Sequence, residues 1–164
     1  MLIKEINITP EDLEFMNMAA ALAEDNVLKG GGPFGAVIVR DGKVVATGAN
    51  SVTLTNDPTA HAEVNAIREA CAKEQTFNLA GCTVYSSCEP CPMCLSALYW
   101  AGVERIFYGN TQEDADKINF SDKFIYDELA LPKQRRSLPC VHMENKRTIK
   151  AFEMWADKED KGAY

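Results

Sequence analysis

The sequence predicts an α/β protein in three layers, with helices on both faces of one central mixed sheet of five strands. Three observations predict it. Short apolar runs of strand length alternate with longer segments of helical period along the chain. Turn signals such as Asp41-Gly42 separate the runs. At 164 residues the chain is long enough to bury a sizeable core as one domain, and one domain over residues 1–164 is expected.

Thr9-Pro10-Glu11-Asp12 opens the first helix, with a capping Thr, a Pro at the first helical position and acids at the positive end. Phe15, Met18, Ala19 and Leu22 form its apolar stripe, and Gly30-Gly31-Gly32-Pro33 stops it. Phe34 leads through a bend into an apolar strand, Ala36 to Arg40; Asp41-Gly42 turns the chain, and Lys43 to Asn50 returns as the second strand. The glycines lack the Gly-x-x-x-x-Gly-Lys-Ser/Thr pattern of a phosphate loop and read as a turn that brings the chain close to the site. A polar loop with Asn56-Asp57-Pro58 precedes a helix from about His61 to Lys73, with Val64, Ile67 and Cys71 facing inward. Thr83 to Ser86 reads as a strand leading to Cys88, Met93 to Trp100 as a helix, and Arg105 to Tyr108 as a fourth strand. A polar helical or loop stretch then runs to about Glu128, Cys140 to Glu144 supplies the fifth strand, and Arg147 to Lys158 closes the chain as a helix with Ile149, Phe152 and Trp155.

Two segments concentrate metal-binding chemistry: His61-Ala62-Glu63 and Pro90-Cys91-Pro92-Met93-Cys94. Together they make the H-x-E…P-C-x-x-C pattern of the zinc nucleobase deaminases. Cys91 and Cys94 are three apart and share a face of a helical turn, so both sulfurs reach one ion. Pro90 and Pro92 suit a helix start, whose positive end favours the thiolates that zinc takes. His61 and Glu63 are two apart and diverge in a regular helix, so His61 is placed just outside the helix and Glu63 beside the metal rather than on it. Three ligands, His61, Cys91 and Cys94, leave a coordination position for water, and a carboxylate there can carry its proton to a leaving amine. Cys88 completes a C-x-x-C-x-x-C run and is the alternative fourth ligand of a closed, noncatalytic Cys3His module. Cys71, Cys82 and Cys140 read as reduced thiols and small core residues.

Seventeen Lys and Arg against 24 Asp and Glu give a net charge of −7, with an isoelectric point near 4.9. That balance argues against a nucleic-acid partner and for a small substrate, and Lys133-Gln134-Arg135-Arg136 reads as a solvated loop. With neither a long apolar span nor a charged-then-apolar leader in the chain, a cytoplasmic protein off the membrane is expected.

With Asn50, Thr55 to Val64 and Ser87 to Cys94, the chain resembles the bacterial guanine deaminases of the cytidine-deaminase fold. Gly31 to Val39, Ala97 to Trp100, Phe124-Ile125-Tyr126 and the terminal Tyr164 extend the likeness over nearly the whole length. The resemblance implies a zinc hydrolase that converts guanine to xanthine and ammonia with one zinc ion per subunit. It implies that Phe34 packs on the purine, Asn50 bonds its ring edge, Ala62 and Trp100 line the pocket, and Asp122 assists proton transfer beside Glu63. It also implies a homodimer that exchanges a C-terminal segment, about 147–164, so that Tyr164 closes the partner's site. Deamination of guanosine or another nucleobase or nucleoside, and of adenosine in tRNA, are the alternatives within the same chemistry.

Overall fold

The computed structural model describes residues 6–162, which divide into two compact units, one up to Lys123 and one from Phe124 on. The first unit contains a four-stranded mixed sheet in the order β2-β1-β3-β4. Strand β1 (Gly35–Arg40) pairs antiparallel with both β2 (Lys43–Ala49) and β3 (Cys82–Cys88), and β3 pairs parallel with β4 (Arg105–Asn110). The run Gly35-Ala-Val-Ile-Val39 is apolar without alternation because β1 is buried on both faces. Asp41 and Gly42 both have positive φ, 51° and 69°, the two-residue turn that matches strand twist.

Helix α1 (Pro10–Leu28) starts at a capping box in which the Thr9 hydroxyl accepts from Asp12 N at 3.2 Å and the Asp12 carboxylate accepts from Thr9 N at 2.7 Å. It packs on one sheet face, Ala19 against Val37, Val39 and Tyr85, with Phe15, Met16 and Leu22 around them. Met18, expected in that stripe, is 41% exposed; Met16 faces the sheet instead. The Tyr85 hydroxyl crosses to Asp12 at 2.5 Å and its ring stacks on Phe107, tying the start of α1 to the sheet.

The opposite face carries α3 (Ala62–Glu74) and α4 (Pro92–Ala101), whose Ala62, Ala66, Ala70, Leu98 and Ala101 cover Ala36, Ile38 and Val84. Val64, Ile67 and Cys71 were expected to face inward and are only half-buried; the alanines make the closest layer. Gly48 explains why. A Cβ there would stand 2.2 Å from the Ala62 carbonyl and 2.5 Å from Ala66 N, so α3 lies backbone-on-backbone against β2. Gly35 serves α1 on the other face, where a Cβ would meet the Ala19 carbonyl at 2.4 Å.

The three-layer α/β/α order is thus as expected, but the sheet has four strands and not five. Cys140 to Glu144 forms no strand. A strand exists only through a ladder partner, and the second unit's described residues contain none: they form α6 (Lys123–Ala130, which begins at the unit boundary), a 3-10 turn (Lys133–Arg135) and α7 (Lys146–Ala156). Within α7, Ile149, Phe152 and Trp155 are 54%, 75% and 48% exposed. Two short helices are added: α2 (Val52–Thr55) in a stretch read as polar loop, and α5 (Gln112–Asp116) in the stretch read as polar helical or loop. No helix among the described residues is long and apolar enough to cross a membrane.

Candidate active site

The site forms where the starts of α3 and α4 meet the end of β3. His61 is the N-cap of α3 with extended backbone, φ −72° and ψ 158°, so its ring leaves the helix axis as the two-residue spacing to Glu63 demands. Cys91 is the N-cap of α4, also extended, and its sulfur accepts from Cys94 N at 3.5 Å. Pro92 takes the first helical position, where its missing N–H costs nothing.

These caps bring three donors together. His61 Nδ1 lies 3.5 Å from Cys91 Sγ and 3.5 Å from Cys94 Sγ, and all three atoms fall within 4.8 Å of one another. A tetrahedral zinc ion, about 2.3 Å from sulfur and about 2.0–2.1 Å from nitrogen, separates a nitrogen and a sulfur ligand by about 3.5–3.6 Å. The donor set fits zinc in both kind and spacing. Hydrogen bonds from Cys94 and then His61 hold the Cys91 thiol below its ordinary range, and the bond to Cys91 raises His61, a pairing that favours the anionic sulfur a metal takes.

Cys88 stands outside this cluster. As the last residue of β3 it turns its thiol toward the Thr111 carbonyl, 3.8 Å away, and burial pushes that thiol up to about 11. Among the described residues, no fourth His, Cys, Asp or Glu joins the three donors. A closed Cys3His shell is not formed.

Glu63 is 6% exposed, on the first turn of α3, and accepts a hydrogen bond from Ser86 Oγ at 3.1 Å. Burial raises its carboxyl, which suits a group that must take up a proton and pass it on. Burial, and then the nearby Cys91, raise Asp122 as well, which places its carboxyl within electrostatic reach of the cluster. Ser86 was not singled out in the sequence. Its signal was present as a Ser-Ser pair in an otherwise apolar strand, where buried hydroxyls need partners.

The expected substrate residues divide. Asn50 is 6% exposed at the end of β2, its side-chain oxygen accepting from Val52 N at 3.3 Å. Phe34 precedes β1 and meets Phe120 edge-to-face with centroids 5.0 Å apart, and Phe120 is two residues from Asp122. The methyl of Ala62 is buried in the core, so what this residue can offer a ligand is its N–H, one of those a helix start leaves without an intrahelical acceptor. Trp100 lies near the far end of α4 and is 72% exposed. Tyr164 lies outside the described residues.

A catalytic zinc site differs from a structural one by leaving a coordination position to water. The three-donor cluster beside a buried carboxylate therefore defines a metal-dependent hydrolase on an α/β/α scaffold. The profile of the cytidine and deoxycytidylate deaminase zinc-binding region matches residues 9–110, and the chain belongs to that family. Guanine deaminase from Bacillus subtilis (strain 168) is 46% identical over 151 residues, covering 92% of this chain and 97% of its own. The crystal structure of guanine deaminase from Bacillus subtilis superposes with a TM-score of 0.90 at 44% identity, over 96% of this chain and 99% of the other. A structure solved in complex with 2,6-diaminopurine superposes with a TM-score of 0.66 at 31% identity, over 72% of this chain and 65% of the other. The tRNA-specific adenosine deaminase of Aquifex aeolicus is 42% identical over 94 residues, 57% of this chain and 62% of its own.

Proposed function

We propose that the protein hydrolyses guanine to xanthine and ammonia in the cytoplasm. The observation that carries this reading is the extent of its similarity to a guanine deaminase, 92% of the chain, against the 57% shared with a tRNA-specific adenosine deaminase. The net charge of −7 also works against a tRNA substrate.

His61, Cys91 and Cys94 hold one zinc ion per chain in this reading. Zinc held there would supply a water activated as a nucleophile at neutral pH. Glu63 takes one proton of the water that attacks C2 and passes it to the ring nitrogen, then takes the second from the new C2 hydroxyl and passes it to the departing amine, so that guanine and water become xanthine and ammonia. Ser86 holds the Glu63 carboxylate in place for both transfers. Asp122 stands beside the amino group and assists its release. Asn50 bonds the purine edge, Phe34 packs on its face, the Ala62 N–H meets it at the helix start, and Trp100 lines the outer wall. Purified zinc-loaded protein is expected to release ammonia from guanine and not from guanosine, adenine or cytosine. Turnover of one of those three instead overturns the substrate assignment and keeps the chemistry.

We further propose a homodimer in which the segment about 147–164 is exchanged and Tyr164 closes the partner's site. The exposed apolar residues of α7, Ile149, Phe152 and Trp155, support a covering second copy. Deleting Gly162 to Tyr164 is expected to leave a folded dimer by light scattering with impaired guanine turnover. A monomer at all concentrations in the full chain, or full activity after the deletion, refutes the exchange.

A further inference from the structure

Asn26 has no part in the metal chemistry, yet it joins the two segments that carry Asn50 and Phe34. It is 7% exposed in the last turn of α1, and its side-chain amide donates to the Gly32 carbonyl at 2.7 Å and to the Asn50 carbonyl at 2.7 Å. Its own carbonyl accepts from Gly31 N at 2.9 Å. Gly32 O also accepts from Phe34 N at 2.8 Å, and Phe34 O accepts from Asn50 N at 3.1 Å, so the bonds run continuously from Asn26 through the glycine bend to both residues. The bend is seated on amides. A Cβ at Gly31 would stand 2.4 Å from Asn26 Nδ2, and one at Gly32 would stand 2.9 Å from Asn50 Oδ1.

We infer that Asn26 is a positioning residue that sets Asn50 and Phe34 for the purine, an inference that takes its substrate from the guanine reading. Both hydrogens of its amide are committed to carbonyls on segments 18 residues apart in the chain, Gly32 and Asn50, just beyond the Gly35–Ala49 end of the β1–β2 ladder. Only a donor with two hydrogens in this position satisfies both. The zinc donors and Glu63 sit at the starts of α3 and α4, and neither bond of the Asn26 amide reaches them.

Asn26→Asp keeps the shape and turns an acceptor toward the two carbonyls. Its KM for guanine is expected to rise about tenfold, the size of one net hydrogen bond, while kcat and zinc content stay near those of the unaltered protein. Gly31→Ala, which presses a methyl against the same amide without touching its chemistry, is expected to raise KM in the same way. In both variants hydrogen exchange at the Phe34 and Asn50 amides is expected to quicken while the β1–β3 amides hold. Tyr85→Phe, which loosens α1 at its other end, is the control and is expected to lower thermal stability with KM unchanged. Unchanged KM and exchange in both variants overturn the inference, as does a fall in kcat alone or a KM rise shared by Tyr85→Phe. If the unaltered protein fails on guanine, the substrate reading falls by itself. Exchange at Phe34 and Asn50 then decides the positioning role, for it when exchange quickens and against it when it does not.

Discussion

Glu63→Ala is expected to retain zinc and the native fold while guanine turnover falls by roughly a hundred- to ten-thousandfold, the range lost with a general acid–base group. Glu63 reaches the site from α3 but does not belong to the three-donor cluster, so its removal leaves the ligands intact. The structural cost is modest. Ser86 Oγ loses its acceptor, worth about 1 kcal/mol, and the substitution also relieves the burial of a group whose charge is penalised there. Glu63→Gln separates chemistry from packing, because the amide still accepts from Ser86 but cannot carry a proton between water and amine. Both variants are therefore expected to be equally inactive by ammonia release and equally zinc-loaded by metal analysis. Activity within a few-fold of the unaltered protein in either variant removes Glu63 from the mechanism, and loss of zinc in both would make it a ligand.

Removing the metal is expected to abolish turnover and to lower the melting temperature by about 10 °C. The physical basis is linkage. A metal present at about a thousand times its dissociation constant stabilises the folded state by about 4 kcal/mol, and each kcal/mol moves the midpoint of a chain this size by about 2–4 °C. His61 and Cys91 are N-caps of α3 and α4, so an ion held there would join the starts of both helices, and its loss would be felt by the whole layer above the sheet. Cys91→Ala is expected to reproduce the chelated state, with zinc absent, turnover absent and a melting temperature that added zinc no longer raises. Cys88→Ala is expected to keep zinc, because the Cys88 thiol lies outside the donor cluster. A zinc-loaded Cys91→Ala, or a zinc-free Cys88→Ala, assigns the ligands differently.

How legible each feature was depended on how local its cause is. The capping Thr9, the Asp41-Gly42 turn and His61 at the entrance of its helix are set by neighbouring residues, and each is found where the sequence placed it; Cys91, read on a helical turn with Cys94, is the extended cap just before it. The stripe of α1 was misread at one residue, Met18 for Met16, because periodicity gives a helix's apolar side but not the angle at which a sheet meets it. The inward face of α3 was read only in part: Ile67 and Cys71 pack against the core, but Gly48 draws the helix so close that Ala62, Ala66 and Ala70 fill the innermost contact and Val64 does not. The strand expected at Cys140 to Glu144 had the composition of a strand but no ladder to join. Ser86 and Asn26 passed as ordinary polar residues, since their importance rests on partners 23 and 24 positions away.

The sequence by itself determined the donor set and the carboxylate beside it. Both motifs are short, and helix-start geometry converts their spacing directly into direction: Cys91 and Cys94 to one face, His61 off the helix and Glu63 on it. Only the tertiary structure decided what surrounds them. It set Cys88 apart from the metal donors, buried Glu63 against Ser86, and hung Asn50 and the glycine bend on Asn26. Those outcomes rest on contacts between elements distant in the chain, as does the approach of Gly35 N to within 3.0 Å of Ser87 Oγ across 52 residues where β1 lies beside β3. Such an approach is the joint product of sheet order and helix packing, and no window of neighbouring residues contains it.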